Sequence, residues 1–443
     1  MGLSLFDTLG LIALGGPALA FVVLSLWMLS PAPVQERRVH QVVAWAFSIA
    51  LGAVFILGLA LAWGGPRAEV DLGPLFAIRG YDFHVHFLFD GPALFFLGLD
   101  YTLCGLIGAF SSRYLHQDEG YRRFYLLLLL FSLGVGAIAS AAGLDLLFAG
   151  WEVVGLTSAL LIAYFNRREG PSEHGLRAYA VYRFTDVGLL GALVVIHHVL
   201  GTTAFGAFAG AESALLIPGA LLVFGAMGKG AMVPFTGWLP RAMEGPTPSS
   251  AIFYGALSIH ASPFLLLRIA PVVDGHLSLR IAVGLIGALT LLHASSTGRV
   301  QTDVKTSLGY ASVTQVSLIW CEIAMGWTTL AWIHLGGHAL LRTWQLLRAP
   351  SVLHDRHHLA RVYGGAVHDK RHPAAAFFGS TVLYRWALER WYLDELLAVV
   401  VRLTLAPFRL LDRLDRGFAE TLEQLPEPAH ATAPPSPHKV PTR

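Results

Sequence analysis

The stretch LLIPGALLVFGAMGKGAMVPFTGW, residues 215–238, decides the fold, because it has the length of a membrane span and yet contains a lysine, Lys229. An ammonium group in hydrocarbon is costly unless it is paired, hydrated or neutralised. Pro234 and three nearby glycines predict that the helix is interrupted close to this lysine. Membrane proteins that keep ionisable groups at such a depth usually use them to move protons or ions.

The rest of the chain has the same apolar character. Of its 443 residues, 55% are hydrophobic and 14% are charged, against about 25% charged in a soluble domain, and the mean hydropathy is +0.58. We therefore predict an all-α integral membrane protein with about eleven transmembrane helices. The first apolar run has no basic region ahead of it, so we interpret it as a retained span. The predicted spans are 8–30, 41–63, 91–112, 123–142, 144–165, 178–200, 215–233, 248–270, 278–296, 304–324 and 327–347.

The loops between these spans differ in charge. The alternation predicts a multi-pass protein of the inner (cytoplasmic) membrane, surrounded by lipid bilayer, with its N-terminus outside. The net charge of +2 is distributed over the loops, so nucleic acid is not expected as a partner. Cys104 and Cys321 lie within spans and predict neither a disulfide framework nor a thiolate metal site. Basic residues follow the odd-numbered spans, at Arg37, Arg38, Arg113, Arg122, Arg123, Arg167, Arg168, Arg177, Arg241, Arg299 and Lys305.

Five regions follow from these patterns. Residues 1–75 form the N-terminal spans and an external loop, and residues 76–347 form the membrane core. Residues 348–380 form a basic, His-rich cytoplasmic loop, whose imidazoles we expect to face anionic lipid rather than a metal. Residues 381–425 are predicted to form an amphipathic helix that lies along the membrane or against partner helices. Residues 426–443 are rich in Pro, Ala and His and are predicted to be disordered.

One external loop has the alternation of a β-hairpin. The run Tyr81–Phe87 alternates between apolar and polar residues, so strands are plausible between the second and third spans. His84 and His86 would share one face of such a strand. A paired-strand surface explains the two histidines as well as a metal would, so we favour the strand without a metal.

Three further ionisable residues lie within predicted spans: Glu152, Arg183 and Asp186. Arg183 and Asp186 are three apart, so they share a helix face and can pair. Burial disfavours the charged forms of carboxylates and of lysine, which would let Glu152, Lys229 and intervening waters pass protons. The alternative is a buried ion pair that only fixes helix packing. We favour the proton path, because three such groups are expensive as scaffold alone.

Four histidines lie within the later spans, at His260, His293, His334 and His338. The last two are four residues apart and share a helix face. A zinc site needs a third ligand and usually carboxylates behind it, and no motif supplies them, so no metal is expected. We favour a proton relay. Histidines that are satisfied by interhelical hydrogen bonds are the alternative.

Three blocks of sequence stand in order along the chain: DLLFAGWEVVGL (145–156), MGK (227–229) followed by WLPRAMEGPTP (238–248), and VQTDVKTSLGYAS (300–312). They resemble the antiporter-like L subunit, the subunit 5 type, of respiratory complex I (NADH-quinone oxidoreductase). The resemblance covers about residues 75–345. The same blocks are shared, less closely, with multisubunit cation/proton antiporters and with the membrane subunit of a two-component inorganic-carbon uptake complex.

The resemblance implies a fold of antiporter-like five-helix repeats with a broken seventh helix, and it implies roles for residues. Glu152 would be the acidic partner of Lys229, and Arg183 with Asp186 would tune that pair. The two histidines of the last predicted span would lie on the central hydrophilic axis. The implied proton path comprises Glu152, Lys229, Arg183, Asp186, His334, His338, Lys305 and His260.

The chain departs from the family's pattern in three places. Tyr254 stands where the family usually has a histidine at the start of the eighth span. Arg342 stands where a lysine is often found, and an arginine cannot lose its proton. The second five-helix repeat stops after its third span, without a second broken helix. The run WYLDEL (391–396) nevertheless resembles the C-terminal region of the same subunit.

These observations favour a proton-translocating membrane subunit of a complex I-like oxidoreductase, with other membrane subunits as partners. Redox chemistry would belong to those partners, because this sequence has no dinucleotide, flavin or iron–sulfur motif, and no cofactor is expected in it. One alternative is the membrane subunit of a proton-gradient-driven CO2/bicarbonate uptake complex, whose partner would be a large soluble zinc protein. The others are a cation/proton antiporter subunit and a structural subunit whose channel residues are relics.

Overall fold

The computed structural model describes residues 4–29, 35–78, 81–349 and 380–423. The chain divides into two compact units between Trp391 and Tyr392. The predicted His-rich loop at 348–380 lies almost wholly outside the described residues, and the predicted tail at 426–443 lies outside them altogether.

Helices make up nearly all of the described residues, and one antiparallel hairpin accompanies them. The elements are α1 (Leu5–Leu29), α2 (Glu36–Ala62), β1 (Ala68–Ile78), β2 (Tyr81–Phe89), α3 (Gly91–Tyr114), α4 (Tyr121–Ser140), α5 (Leu144–Ile162), α6 (Glu169–Leu200), α7 (Leu216–Lys229), α8 (Trp238–Arg241), α9 (Thr247–Phe253), α10 (Leu257–Arg268), α11 (Ala270–Gly275), α12 (Leu277–Gly298), α13 (Val304–Ala324), α14 (Thr328–Arg348), α15 (Thr381–Leu388) and α16 (Leu393–Glu423).

Eight helical segments of the described residues are long and apolar enough to cross a membrane, by length and composition. They are α1 to α6, the α9–α10 pair and α12. The prediction of an all-α membrane protein is confirmed, and the chain is a multi-pass membrane protein. The number of eleven spans stays a prediction, because α7 is short and α13 and α14 are more polar.

The break in the seventh span is found where the sequence predicts it. Helix α7 ends at Lys229, and Ala231 beyond it has a left-handed φ of 52°. The chain becomes helical again at Trp238, whose Nε1 donates to the carbonyl of Gly228 at 3.0 Å. That carbonyl lies in the last turn of α7 and also accepts the N–H of Ala231 at 3.2 Å.

The predicted eighth span, 248–270, matches a candidate span at Thr247–Arg268, but its helix is interrupted. Helix α9 ends at Phe253 and α10 begins at Leu257. The N–H of Gly255 bonds to the carbonyl of Ser250, five residues back, so the helix widens and then stops. A Cβ at Gly255 would lie 2.8 Å from Leu346 of α14, so close packing against that helix accompanies the break.

The end of the bundle that carries the β1–β2 hairpin, here called the hairpin end, is joined by polar contacts. The Arg268 guanidinium at the end of α10 lies 2.5 Å from the Asp90 carboxylate and 3.2 Å from the carbonyl of Ala141. The α13–α14 connection belongs to this end as well, because Arg280 near the start of α12 donates to the carbonyl of Ala324 at 3.1 Å. The last turn of α13 therefore lies at the hairpin end.

The predicted external hairpin is present, and its two histidines bind carboxylates. His84 lies 3.3 Å from Asp71, and His86 lies 2.7 Å from Glu69 on the neighbouring strand. The N–H of Gly73 donates to Asp71 and lowers the pKa of that carboxyl, with His84 adding to the effect. Each histidine thus has its own acidic partner, and no cluster of metal ligands occurs among the described residues.

The C-terminal region is helical, but the single amphipathic helix predicted at 381–425 is wrong in one respect. Helix α15 ends at Leu388, and three residues in the left-handed region, Arg390, Trp391 and Tyr392, precede α16. Left-handed residues cannot continue a right-handed helix, so the region consists of two helices. Within α16, apolar residues such as Leu403 stay exposed, as expected for an amphipathic helix.

Candidate functional site

Helices α5, α6 and α7 bring four charged side chains together inside the bundle. The Arg183 guanidinium on α6 forms ion pairs with two carboxylates, Glu152 on α5 through Nη1 and Asp186 on its own helix through Nη2, the latter at 2.8 Å. Trp151 donates its indole N–H to the other oxygen of Asp186 at 2.7 Å. The predicted pairing of Arg183 with Asp186 is therefore seen, and Glu152 joins it.

Lys229 lies fully buried at the end of α7, beside this cluster. Its Nζ is 4.8 Å from the centre of the Trp151 ring and 4.5 Å from that of Tyr182, which is the range of cation–π contacts. Among the described residues no group makes a hydrogen bond to this Nζ. The charges that act on it most strongly are those of Asp186 and Arg183.

The arrangement differs from the expected direct pairing of Glu152 with Lys229. The carboxylate of Glu152 is occupied by Arg183, so the glutamate reaches the lysine through Arg183 and Asp186. Glycine makes this geometry possible, since a Cβ at Gly155 would lie 3.0 Å from the lysine Nζ. The cluster can hold a proton on a carboxylate or on the lysine, with the arginine as a fixed charge.

Removing the indole N–H should weaken the cluster while the aromatic ring stays. In Trp151→Phe, Asp186 loses one of its charge-assisted hydrogen bonds, and we expect the free energy of unfolding to fall by about 2 kcal/mol. The midpoint of thermal unfolding of the purified protein measures the change. Trp327→Phe is the matched control, because that indole is 53% exposed. Equal midpoints for the two variants would show that the bond does not stabilise the fold.

Hydroxyl groups connect the lysine cluster with α10. Tyr182 lies against Lys229, and its buried hydroxyl makes no hydrogen bond among the described residues; Ser258 lies on α10, two residues before His260. Ser258 in turn lies 3.4 Å from Ser158 on α5. Tyr254, which stands where a histidine was expected, donates to the carbonyl of Ser158 at 3.3 Å. Buried hydroxyls therefore occupy the space between the lysine and the first histidine.

A row of buried polar side chains continues from α10 to α14. His260 Nε2 lies 2.9 Å from His338 Nδ1, and the Arg342 guanidinium lies 3.5 Å from the other nitrogen of His338. His334, one turn away, has Glu322 at 2.8 Å and Gln315 at 2.9 Å. The structure thus brings together three of the four histidines that the sequence singled out.

The fourth histidine and Lys305 lie apart from this row. His293 bonds to Thr236 at 2.9 Å. Lys305 donates to Thr247 at 2.9 Å, and Tyr114 lies 3.2 Å from the same hydroxyl, at the end of the bundle opposite the hairpin. Lys305 therefore lies at that end of the bundle and not beside Lys229, so its role in the proton path stays a prediction.

Sequence reasoning missed two buried carboxylates. Glu322 is 5% exposed beside His334, and Asp100 on α3 is fully buried, with Ser132 donating to it at 2.7 Å. Both lie in apolar helices, so the criterion that selected Glu152 would also have selected them. Gln315 and the hydroxyls carried no comparable signal, because uncharged polar residues are common in membrane helices.

Curated proteins and solved structures are similar to this chain. NADH-quinone oxidoreductase subunit L of Neisseria meningitidis is 30% identical over 336 residues, 69% of this chain and 50% of that protein. The subunit L of Escherichia coli K12 is 32% identical over 292 residues, 64% of this chain and 48% of that protein. The Mrp complex from Dietzia sp. DQ12-45-1b has a similar fold, with a TM-score of 0.66 and 22% identity, covering 77% of this chain and 37% of that chain.

The chain spans about half the length of the curated relatives it matches. Residues 75–125 match the family described as NADH-Ubiquinone oxidoreductase (complex I), chain 5 N-terminus. The resemblance to the antiporter-like L subunit is thereby confirmed. Because a second match covers residues 141–375, more than half of its length, the chain belongs to the family described as NADH:quinone oxidoreductase/Mrp antiporter, TM.

Proposed function

We propose that the chain is a proton-translocating membrane subunit of a complex I-like NADH-quinone oxidoreductase. The observation that carries the proposal is the cluster of Glu152, Arg183, Asp186 and Lys229 inside an apolar bundle, in which the lysine and the aspartate are buried and the lysine and both carboxylates can exchange protons. The names of its relatives support the same function. Redox groups would lie on other subunits, with which this chain would assemble.

The proposed path runs from the charged cluster through the hydroxyls to the histidines. Protons pass among Glu152, Asp186 and Lys229, then reach His260 by way of Tyr182 and Ser258 with water between them. A relay of this kind needs groups within hydrogen-bond reach or one water apart. The hairpin end would face the outside and the opposite end the cytoplasm, as the charge of the loops indicates.

The exposed part of the cluster supports contact with another membrane subunit. The side chains of Glu152 and Arg183 are 27% and 32% exposed, although both belong to an otherwise apolar surface. Charged groups on a face that would meet lipid are expensive unless a neighbour covers them. A second membrane subunit packed against α5 and α6 would remove this cost.

The identity of what co-purifies tests the assignment. An affinity-tagged chain, extracted from membranes in mild detergent, is expected to elute with NADH-dependent quinone reductase activity, whereas an untagged strain gives none. A large soluble zinc protein in place of quinone reductase subunits would support the inorganic-carbon uptake system instead. Cation-driven proton movement without NADH would support an antiporter.

A further inference from the structure

A carboxylate that the proposed path does not use lies at the end of the histidine row. Glu322 stands in the last turn of α13, at the hairpin end, and is 5% exposed. One of its oxygens lies 2.8 Å from His334 Nδ1, and among the described residues no group bonds to the other. A buried carboxylate oxygen without a hydrogen-bond partner lowers the stability of the fold, so a glutamate at this position needs an explanation other than stability.

All four ring nitrogens of the neighbouring histidine pair, His260 and His338, are engaged in the resting arrangement. A guanidinium only donates, so Arg342 makes His338 Nε2 an acceptor and leaves the His338 proton on Nδ1. That proton is donated to His260 Nε2, whose own proton lies on Nδ1 and is donated to the Ala256 carbonyl. Both rings are therefore neutral at rest, and a proton passes along the pair only when these bonds rearrange, because the fixed charge of Arg342 opposes a lasting second proton on His338.

His334 has a different environment. Its Nδ1 faces Glu322 and its Nε2 faces the side-chain oxygen of Gln315 at 2.9 Å, so both nitrogens point at oxygen acceptors. The ring can carry an N–H on each nitrogen, with the glutamate as carboxylate. The ring can also be neutral, with no proton on Nδ1, when Glu322 carries the proton and donates it to that nitrogen. The same positions of the heavy atoms satisfy both states.

We infer that Glu322 and His334 form a proton-binding pair that ends the path at the hairpin end, an inference that rests on the proposed function. In the transfer, the O–H bond of Glu322 breaks as the N–H bond at His334 Nδ1 forms. The glutamate becomes negative and the histidine positive, so the total charge of the pair does not change. Met325 and Trp327 beside the pair are exposed at the hairpin end, and water would enter from there. The unbonded oxygen of Glu322 is the acceptor for a proton from that water.

Carbodiimide labelling and proton flux test the inference in the assembled complex. A hydrophobic carbodiimide reacts with a buried carboxyl that carries a proton, so Glu322 is expected to be labelled, as mass spectrometry of the digested chain would show. In liposomes, Glu322→Gln keeps the size and a bond to His334 but cannot release a proton. We expect proton flux to fall at least about tenfold, and Glu322→Asp to retain part of it.

A matched control separates the role of the proton from loss of a glutamate–histidine contact. Glu69 bonds to His86 at 2.7 Å on the exposed hairpin, so Glu69→Gln removes the same kind of pair and should leave flux within about twofold. Wild-type flux in Glu322→Gln, an equal loss in Glu69→Gln or an absence of label on Glu322 would overturn the inference. If the wild type itself moves no protons, the proposed function fails, and the labelling alone decides whether Glu322 holds a proton.

Discussion

Replacing Lys229 by alanine is expected to lower proton flux into liposomes by at least about a hundredfold. The variant removes the one amine in the buried cluster and leaves Asp186 with Arg183 and Trp151 alone. Lys229→Arg should lose nearly as much proton flux, because an arginine keeps the charge but does not release its proton. Proton flux should also be lost in Glu152→Gln, since Arg183 would lose one of its two carboxylates.

The control for Glu152 is another glutamate paired with an arginine. Glu119 lies 2.7 Å from Arg167, but both side chains are about four-fifths exposed, so Glu119→Gln should leave flux unchanged. Gel filtration of each complex separates lost transport from lost assembly. Unchanged flux in Lys229→Ala with an intact complex would make the charged cluster a scaffold and the chain an anchor.

The largest expected effect on stability is at Gly150. This residue packs against α4 so closely that a Cβ would lie 2.6 Å from the carbonyl oxygen of Gly134 and 2.8 Å from the backbone nitrogen of Ile138. Backbone cannot turn aside as a side chain can, so Gly150→Ala must push α4 and α5 apart. We expect the free energy of unfolding to fall by about 3 kcal/mol, measured by denaturation in detergent micelles.

Gly58 provides the comparison for that variant. It also lies within a helix, α2, but no atom lies within 4 Å of the Cβ that it would acquire. Gly58→Ala should therefore be neutral or stabilise the protein by about 0.5 kcal/mol through the unfolded state. Equal denaturation curves for the two variants would show that the close approach of α4 and α5 is not maintained in solution.

The helices could be predicted well because hydrophobic length decides where a chain crosses a membrane. The predicted spans and the observed helices agree closely along residues 5–348, including the break at Lys229. Two breaks inside helical patterns, at Gly255 and at Arg390–Tyr392, were not predicted. Gly255 packs against Leu346 of α14, and a hydropathy pattern does not contain that contact.

The sequence predicted which residues form the candidate site, but not which of them contact one another. Charged residues are easy to recognise within apolar spans, so Glu152, Asp186 and Lys229 could be predicted. That Arg183 would bind Glu152 depends on how α5 and α6 are rotated against each other, which residue spacing does not fix. Glu322 was missed although its sequence context resembles that of Glu152.

The contact of Arg268 with Asp90 has a mechanical consequence. Arg268 ends the helix that begins just before His260, and that helix rises about 12 Å over the eight residues that follow His260, one of which is Pro263. Asp90 joins the hairpin to α3, so the ion pair couples the position of the hairpin to the helix that carries the buried imidazole. An antibody fragment that binds the hairpin would then shift His260 without contacting it.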